Sequence, residues 1–291
     1  MANWTVADIP PQRGRTAVVT GTGGLGYEDA LALARAGATV ILAGRSRAKG
    51  LAAVQRIRQD VGGGDIHFEE VDLASLASIE AFGARLRQAR DRVDLLVNNA
   101  GVMTPPTRRV HLLPLLRDGD KPRVVTVSSV AARAGAIRFD DLQSERGYDA
   151  MAAYGQSKLA CLMFALELQR RSDAGGWGIQ STAAHPGISR TDLLPNGAGA
   201  RSAAGLARRF LWFLFQPVAR GALPTLFAAA SPDARGGSYY GPDRLGETRG
   251  HPAAARIPPQ ALDADAAARL WSESERLTAV SFAAAAAKAL R

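Results

Sequence analysis

Cysteine, lysine and aromatic residues are scarce in this sequence, and each scarcity argues against a class of protein. The single cysteine, Cys161, excludes a disulfide framework within the chain and indicates a reducing compartment, so we expect a cytoplasmic protein. Only four of the 36 basic residues are lysines, and the arginines are scattered rather than interleaved with aromatic residues. We therefore expect no nucleic-acid partner, despite the net charge of +9.

Long apolar runs and metal-ligand clusters are also missing. The first fifteen residues contain no apolar stretch, so we expect no secretory signal. The aromatic run FLWFLF is too short to span a bilayer. The four histidines lie in separate segments, and beside one cysteine they offer no metal site.

The sequence does contain a regular alternation of short apolar runs with stretches of helical spacing. The predicted strands are Thr16–Val19, Thr39–Leu42, Ile66–Val71, Asp94–Val97, Arg123–Val127 and Ile179–Ala184. The predicted helices are Tyr27–Ala36, Ala48–Gln59, Leu76–Ala89 and Ala152–Arg171. This alternation predicts an α/β fold, a doubly wound parallel sheet of the Rossmann type, with the ligand crevice beyond the carboxyl ends of the strands.

One domain accommodates the whole chain, because 291 residues that are 47% hydrophobic can bury one large core. We place that core at about residues 14–245 and a helical extension at about 258–291. The stretch GGSYYGPD, 236–243, is interpreted as the last strand and its turn, and Asp263–Thr278 as an amphipathic helix.

The first predicted strand ends in a glycine-rich turn, TGTGGLG, that fits two patterns. Read through Gly21, Gly23 and Gly26, it is the dinucleotide fingerprint G-x-G-x-x-G. Read through Gly21, Gly24 and Gly26, it is one residue shorter than T-G-x-x-x-G-x-G. Either reading predicts a backbone that approaches a pyrophosphate at the positive end of the next helix.

Polar residues follow the next strands as well. Arg45, with Arg47 and Lys49 beyond it and no acid nearby, favours a ribose 2′-phosphate and hence NADP rather than NAD. The alternative is that these are solvated residues at a helix start. Asp72 stands where it can accept a hydrogen bond from an adenine amino group, and LLVNNAG, 95–101, borders the crevice.

Tyr154 and Lys158 are four residues apart in AAYGQSKLA, so both project from one face of a helix. An ammonium group beside a phenol favours the phenolate, which is the form that accepts a proton. Ser129, at the end of the preceding strand, can hydrogen-bond the reacting oxygen. A chance Tyr-x-x-x-Lys pair is the alternative, but its place after the fifth strand argues for function.

The motifs TGTGGLG, NNAG, VSS, YGQSK and HPGISRTDL occur in this order, and together they resemble a short-chain dehydrogenase/reductase. The stretch from VSSVAARAG to YGQSKLA is similar to the retinol dehydrogenase-like branch. The resemblance implies that Tyr154 is the general acid/base, that Lys158 supports it and binds the nicotinamide ribose, and that Ser129 orients the substrate oxygen. It assigns cofactor contacts to Gly21, Gly24, Leu25, Gly26, Arg45, Asp72, Leu73, Asn98, Ala100, Gly101, Tyr154, Lys158, Pro186, Gly187 and Thr191.

The resemblance further implies NADP(H)-dependent hydride transfer between nicotinamide and the carbonyl or hydroxyl carbon of an apolar small molecule, in a homo-oligomer. The segment Ala207–Phe227 is interpreted as a substrate lid, as a membrane-surface patch, or as an ordinary core or interface helix. His185 could face the cofactor, but we favour a structural role for it.

Two departures from the family pattern qualify these expectations. One is the shortened glycine turn. The other is Val102–Pro122, where 21 residues replace a longer crossover and the family's catalytic asparagine has no counterpart. We expect a helix at Thr107–Arg117, although Pro114 sits awkwardly within it. Three interpretations stay open: a nucleotide-binding pseudo-enzyme with weakened catalysis, an active enzyme with water or another group replacing the asparagine, or a longer natural chain of which two segments are missing.

Overall fold

The computed structural model describes residues 3–100, 112–189 and 216–280, and the statements below concern these ranges. They contain one eight-stranded sheet in the order β3-β2-β1-β4-β5-β6-β7-β8. Its strands are β1 (Thr16–Thr20), β2 (Thr39–Gly44), β3 (Ile66–Glu70), β4 (Leu95–Asn98), β5 (Arg123–Val127), β6 (Gln180–Ala184), β7 (Tyr239–Arg244) and β8 (Arg249–Ala254). All neighbours pair in parallel except β7 and β8, which are antiparallel.

Helices cover both faces of the sheet, which confirms the predicted doubly wound fold. They are α1 (Leu25–Arg35), α2 (Arg47–Val61), α3 (Leu76–Ala89), α4 (Leu113–Arg117), α5 (Ala150–Gly175), α6 (Val218–Ala230) and α7 (Ala264–Thr278). On β1, Ala17 and Val19 face one core, with α1, α2 and α6, whereas Val18 faces the other, with α3, α4 and α5. Because side chains alternate along a strand, consecutive apolar residues of β1 are all buried.

The strand order reverses between β1 and β4, and this reversal opens a crevice at the carboxyl ends of the two strands. The glycine turn after β1 and the NNAG sequence after β4 therefore lie side by side. The predicted elements are confirmed with boundaries shifted by a few residues, the largest extension being four residues at the C-terminal end of α5.

Strand β8 has no counterpart among the sequence predictions. It contains Gly250, Pro252 and two alanines, so it lacks the apolar alternation that marks a strand. The strand forms because it lies at the edge of the sheet, where proline is tolerated, and Pro252 pairs with Pro242 of β7. The turn between β7 and β8 places Leu245 and Glu247 at positive φ angles of 49° and 67°.

Pro114, which disfavoured the predicted helix, lies in the first turn of α4. An amide there has no partner within a helix, so proline costs little at that position. Residues 107–111 of the predicted helix lie outside the described ranges. The leucines of HLLPLL that follow His111 are buried against α3 and the sheet.

The C-terminal helix α7 packs along α5. The Phe164 and Trp271 rings are stacked with centroids 5.2 Å apart, and the Arg171 guanidinium lies 4.4 Å from the Trp271 ring centre. Asp263 caps α7 by accepting a bond from the Ala266 amide at 2.9 Å. Among the helices that the structure describes, none has the length and hydropathy needed to cross a bilayer.

Candidate active site

The turn after β1 is tightly closed although it is one residue short. A side chain on Gly26 would collide with the Gly21 carbonyl oxygen and with the Asn99 amide. Gly24 has a φ of +55° and precedes the first residue of α1, Leu25, which is buried. A Cβ at Gly23, by contrast, would meet nothing within 4 Å. The fold therefore requires Gly24 and Gly26, and the short-chain reading of the turn describes it better than G-x-G-x-x-G.

Thr20 and Asn99 join this turn to the end of β4. The Thr20 hydroxyl accepts bonds from the amides of Asn99 and Ala100 at 3.1 and 3.0 Å. The Asn99 side chain donates to the Thr20 carbonyl at 2.9 Å, while Asn98 reaches the Val125 carbonyl at 3.4 Å. The sequence predicted NNAG as a crevice wall but not this bracing role of Asn99. The only signal for it was the pairing of a threonine with an amide at two strand ends.

Arg45 lies exposed directly after β2, beside the glycine turn. The Thr22 methyl group lies against Gly44, where any side chain would be 2.9 Å from it. Ser46 caps α2, whose first turn carries no acidic residue. This end of the crevice is therefore positively charged, and the helix dipole adds to that charge.

Asp72 and Leu73 follow β3 and are both half-buried. The Asp72 carboxylate accepts a bond from the Ala74 amide at 2.9 Å, and the Asp72 amide donates to the Ser78 hydroxyl at 2.9 Å. These bonds fix the turn into α3 and leave Asp72 at the same edge of the sheet as Arg45. Gly101 and Thr191 lie outside the described residues.

Ser129 begins a 3-10 helix, Val130–Ala134, and its hydroxyl accepts a bond from the Ala131 amide at 3.2 Å. That short helix ends at Gly135, which touches the backbone of Gly155 on α5 so closely that a side chain on Gly135 would overlap the Gly155 carbonyl oxygen. Gly155 follows Tyr154 directly. The glycine contact therefore brings residues 129–135, the Ser129 segment, against the turn of α5 that carries Tyr154.

Lys158 is buried, and its ammonium donates to the Val127 carbonyl at 3.2 Å. The same ammonium lies 5.9 Å from the centre of the half-buried Tyr154 ring. Ser128 donates to the Lys158 carbonyl at 2.7 Å, which ties α5 to the end of β5. Lys158 and Tyr154 therefore lie on a part of α5 that packs against the end of β5, and Ser129 follows β5 two residues after its last residue.

The end of β6 carries Pro186 and Gly187. The Pro186 carbonyl accepts bonds from Ser189 and Gln216 at 2.8 and 2.7 Å. Gly187 has a φ of +61°, and its amide donates to Nδ1 of His185 at 3.2 Å. His185 is fully buried, so it does not line the open crevice.

His185 has a charged partner that the sequence analysis missed. Its Nε2 lies 3.0 Å from a carboxylate oxygen of Glu247, and Arg133 bonds the same oxygen. Burial lowers the pKa of His185, and the bond to Glu247 opposes that effect only in part. Burial alone would raise the pKa of Glu247, but the bonds from His185 and the Arg256 amide, with the charge of Arg133, bring it below its ordinary value.

The doubly wound sheet, the glycine turn and the Tyr154–Lys158 helix together define a nucleotide-binding oxidoreductase of the Rossmann type. Residues 15–112 match the family model described as short chain dehydrogenase. The mouse (Mus musculus) polyprenol dehydrogenase is 37% identical over 93% of this chain and 85% of its own length. Human (Homo sapiens) retinol dehydrogenase 13 is 36% identical over 93% of this chain and 86% of its own. The chain belongs to the short-chain dehydrogenase family, as its motifs predicted.

Solved structures agree with this assignment. A crystal structure of an uncharacterized protein from Mycobacterium paratuberculosis superposes with a TM-score of 0.78 and 35% identity, covering 97% of this chain and 99% of that one. L-sorbose reductase from Gluconobacter frateurii, solved with NADPH and L-sorbose, has a TM-score of 0.61 at 20% identity over 80% of this chain and 95% of its own, and shares the fold.

The alignment with polyprenol dehydrogenase also bears on the short crossover. The alignment is 298 positions long, but it includes only 93% of the 291 residues of this chain. At some aligned positions, the relative has a residue and this chain has a gap. That relative therefore contains stretches that this sequence lacks, in agreement with the shortening noted above.

Proposed function

We propose that this protein interconverts a carbonyl and a hydroxyl group on an apolar small molecule, with NADP(H) as the hydride carrier. The observation that carries the proposal is the Gly135–Gly155 contact, which packs the segment that Ser129 begins against the turn of α5 that carries Tyr154. In the proposed site, this packing brings the Ser129 hydroxyl, the Tyr154 phenol and the Lys158 ammonium to one side of the crevice.

The crevice fits a dinucleotide. Gly21, Gly24 and Gly26 bring no side chains to the turn, and the N-terminus of α1, which follows it, carries the positive end of the helix dipole. Arg45 would hold a 2′-phosphate, and Asp72 and Leu73 would face the adenine. Asn98, Ala100 and Gly101 would line the adenosine side, and Pro186, Gly187 and Thr191 the nicotinamide end. The bound nicotinamide supplies or accepts a hydride at the substrate carbon.

The protein's own residues handle the proton. Tyr154 donates a proton to the substrate oxygen during reduction and removes it during oxidation. The nearby Lys158 ammonium favours the phenolate form of Tyr154 electrostatically. Ser129 uses its oxygen to accept the Ala131 amide, and in the described residues no bond uses its O–H, which is free to donate to the substrate oxygen. Water or another group takes the place of the family's asparagine.

Two observations support an apolar substrate. Met151, in the first turn of α5, is 70% exposed and precedes Tyr154 by three residues. The relatives include a polyprenol and a retinol dehydrogenase by name. Most of the predicted lid, Ala207–Phe227, lies outside the described residues. We extend the proposal to a cytoplasmic homo-oligomer, with contact of the lid with a membrane surface as the alternative.

Cofactor binding and turnover test the proposal separately. NADPH and NADH are titrated by fluorescence, and turnover is measured with retinal, a polyprenal, and shorter aldehydes and ketones. We expect tighter binding of NADPH, turnover of apolar carbonyls, and loss of at least 100-fold in kcat in Tyr154→Phe, because the proton donor is gone. Tyr148→Phe, an exposed tyrosine near the start of the same helix, is the matched control.

The pseudo-enzyme interpretation predicts a different result. It would be supported by NADPH binding without turnover of any substrate, or by turnover that Tyr154→Phe leaves intact. Preference for NADH would overturn the role of Arg45 alone.

A further inference from the structure

Arg133, His185 and Glu247 form a chain of hydrogen bonds between two separate walls of the active site. His185 ends β6 and precedes Pro186, whereas Arg133 belongs to the 3-10 helix that Ser129 begins. Glu247, in the β7–β8 turn, bonds both through one carboxylate oxygen. Its second oxygen accepts the Arg256 amide at 3.0 Å. None of these three side chains has a role in the chemistry proposed above.

The hydrogen bonds fix the tautomer of His185. Because Nδ1 accepts the Gly187 amide, the ring proton is on Nε2 and is donated to Glu247. The groups that face the ring are the Glu247 carboxylate, the Arg133 guanidinium and the Tyr239 phenol, whose ring centre is 5.0 Å away. Burial raises the pKa of Tyr239, so that phenol is neutral and donates to the Ser129 carbonyl at 3.2 Å.

We propose that Glu247 is a positioning residue, which orients the Pro186–Gly187 turn through His185 and the Ser129 segment through Arg133. The inference rests on the proposed function, because that function assigns the Pro186–Gly187 turn to the nicotinamide end of the cofactor. Glu247 itself touches neither cofactor nor substrate in this scheme. It acts by keeping both walls in one arrangement.

The chemistry of the carboxylate explains why this position needs Glu. Three donors converge on its two oxygens: the imidazole N–H, the guanidinium and the Arg256 amide. A glutamine has one acceptor oxygen, so its NH₂ group would face at least one of these donors. Protonation of His185 would have a related effect, since an imidazolium cannot accept the Gly187 amide and would release the turn.

Two ligands distinguish an effect on the nicotinamide end of the site from a loss of cofactor binding as a whole. NADP⁺ and adenosine 2′,5′-bisphosphate, which lacks the nicotinamide half, are titrated calorimetrically into the full-length wild type, Glu247→Gln and Arg244→Gln. Arg244 is an exposed residue at the end of β7 and serves as the control. We expect Glu247→Gln to weaken NADP⁺ binding about tenfold and to leave the fragment within twofold. Arg244→Gln leaves both affinities within twofold.

Titration at several pH values gives a second readout. Wild-type affinity for NADP⁺ is expected to show an extra fall as His185 protonates, which happens only below the ordinary histidine value of ~6.5 because burial lowers the pKa of His185. Titration of the 2′-phosphate is the same for wild type and Glu247→Gln, so a difference between their pH curves reports on His185. Because the Glu247 charge favours the imidazolium, its removal shifts the midpoint of that extra fall to lower pH.

The outcomes that overturn the proposal are distinct. Unchanged NADP⁺ affinity in Glu247→Gln, or an equal loss for both ligands, overturns the positioning role and leaves the proposed function standing. A wild-type protein that binds neither ligand overturns the proposed function and this inference with it.

Discussion

Gly135 and Gly155 are in direct backbone contact, and no side chain fits on Gly135 between them. One glycine ends the segment that Ser129 begins, and the other follows Tyr154. In the proposed reaction, the closeness of these two backbones would set how near the Ser129 hydroxyl lies to the Tyr154 phenol. A pair of residues without functional groups thus controls the geometry of two residues that have them.

Gly135→Ala is therefore expected to lower kcat at least tenfold, because the added methyl group pushes the Ser129 segment away from α5. The overlap should also lower the free energy of unfolding by about 1–3 kcal/mol. Steady-state kinetics and urea unfolding measure the two effects. Gly147→Ala is the control, since a Cβ there meets nothing within 4 Å. Equal kinetics in the two variants would contradict the prediction.

The glycine turn allows a similar comparison. Gly26→Ala is expected to lower the thermal unfolding midpoint without cofactor and to weaken NADPH binding more than tenfold, because a methyl group collides with the Gly21 carbonyl and Asn99. Gly23→Ala should leave the unfolding midpoint unchanged, since its Cβ has open space. If Gly23→Ala destabilises the protein as much as Gly26→Ala, the short-chain reading of the turn is wrong.

Asp29 on α1 predicts an unusual dependence of stability on pH. Its side chain is fully buried, and neither carboxyl oxygen has a hydrogen-bond partner among the described residues. Burial, with a smaller effect from Glu28, raises its pKa well above the ordinary value. The folded protein therefore keeps this carboxyl protonated to a higher pH than the unfolded chain, in which it ionises near pH ~3.9.

The free energy of unfolding contains a contribution that depends on protonated Asp29. This contribution is fully present below pH ~4 and is lost as the pH rises through the folded-state pKa. Asp29→Asn should match wild type at pH 4 and exceed it at pH 8 by about 1–3 kcal/mol in the free energy of unfolding. Denaturant titrations at the two pH values measure this. The exposed Asp91 provides the control, Asp91→Asn. An asparagine variant with no advantage at pH 8 would show that Asp29 is accommodated as a carboxylate.

Arg45 is expected to determine cofactor preference. Arg45→Ala should weaken NADPH binding about tenfold and change NADH binding little, because only NADPH carries the 2′-phosphate. Fluorescence titration of both cofactors measures the ratio. Arg56→Ala is a suitable control, since its guanidinium lies over the Tyr27 ring with 5.0 Å to the centroid. Parallel losses for NADPH and NADH would argue against phosphate recognition.

The sequence predicted the elements whose signals are local. Apolar runs with helical stretches between them define β1 to β6 and the helices around them, and the spacing of Tyr154 and Lys158 defines one face of α5. It did not predict the contact of Glu247 with His185, which lies 62 residues away along the chain. Nothing near Glu247 marks it, and the turn that carries it depends on β8, whose sequence has no strand pattern.

The edges of the sheet have a consequence for assembly. Pro252 stands within the edge strand β8 and has no amide hydrogen to offer to another strand. At the opposite edge, β3 carries the polar residues His67, Glu69 and Glu70. Neither border is a good template for strand addition, so the sheet resists growth from copy to copy and the fibrous aggregation that such growth would start.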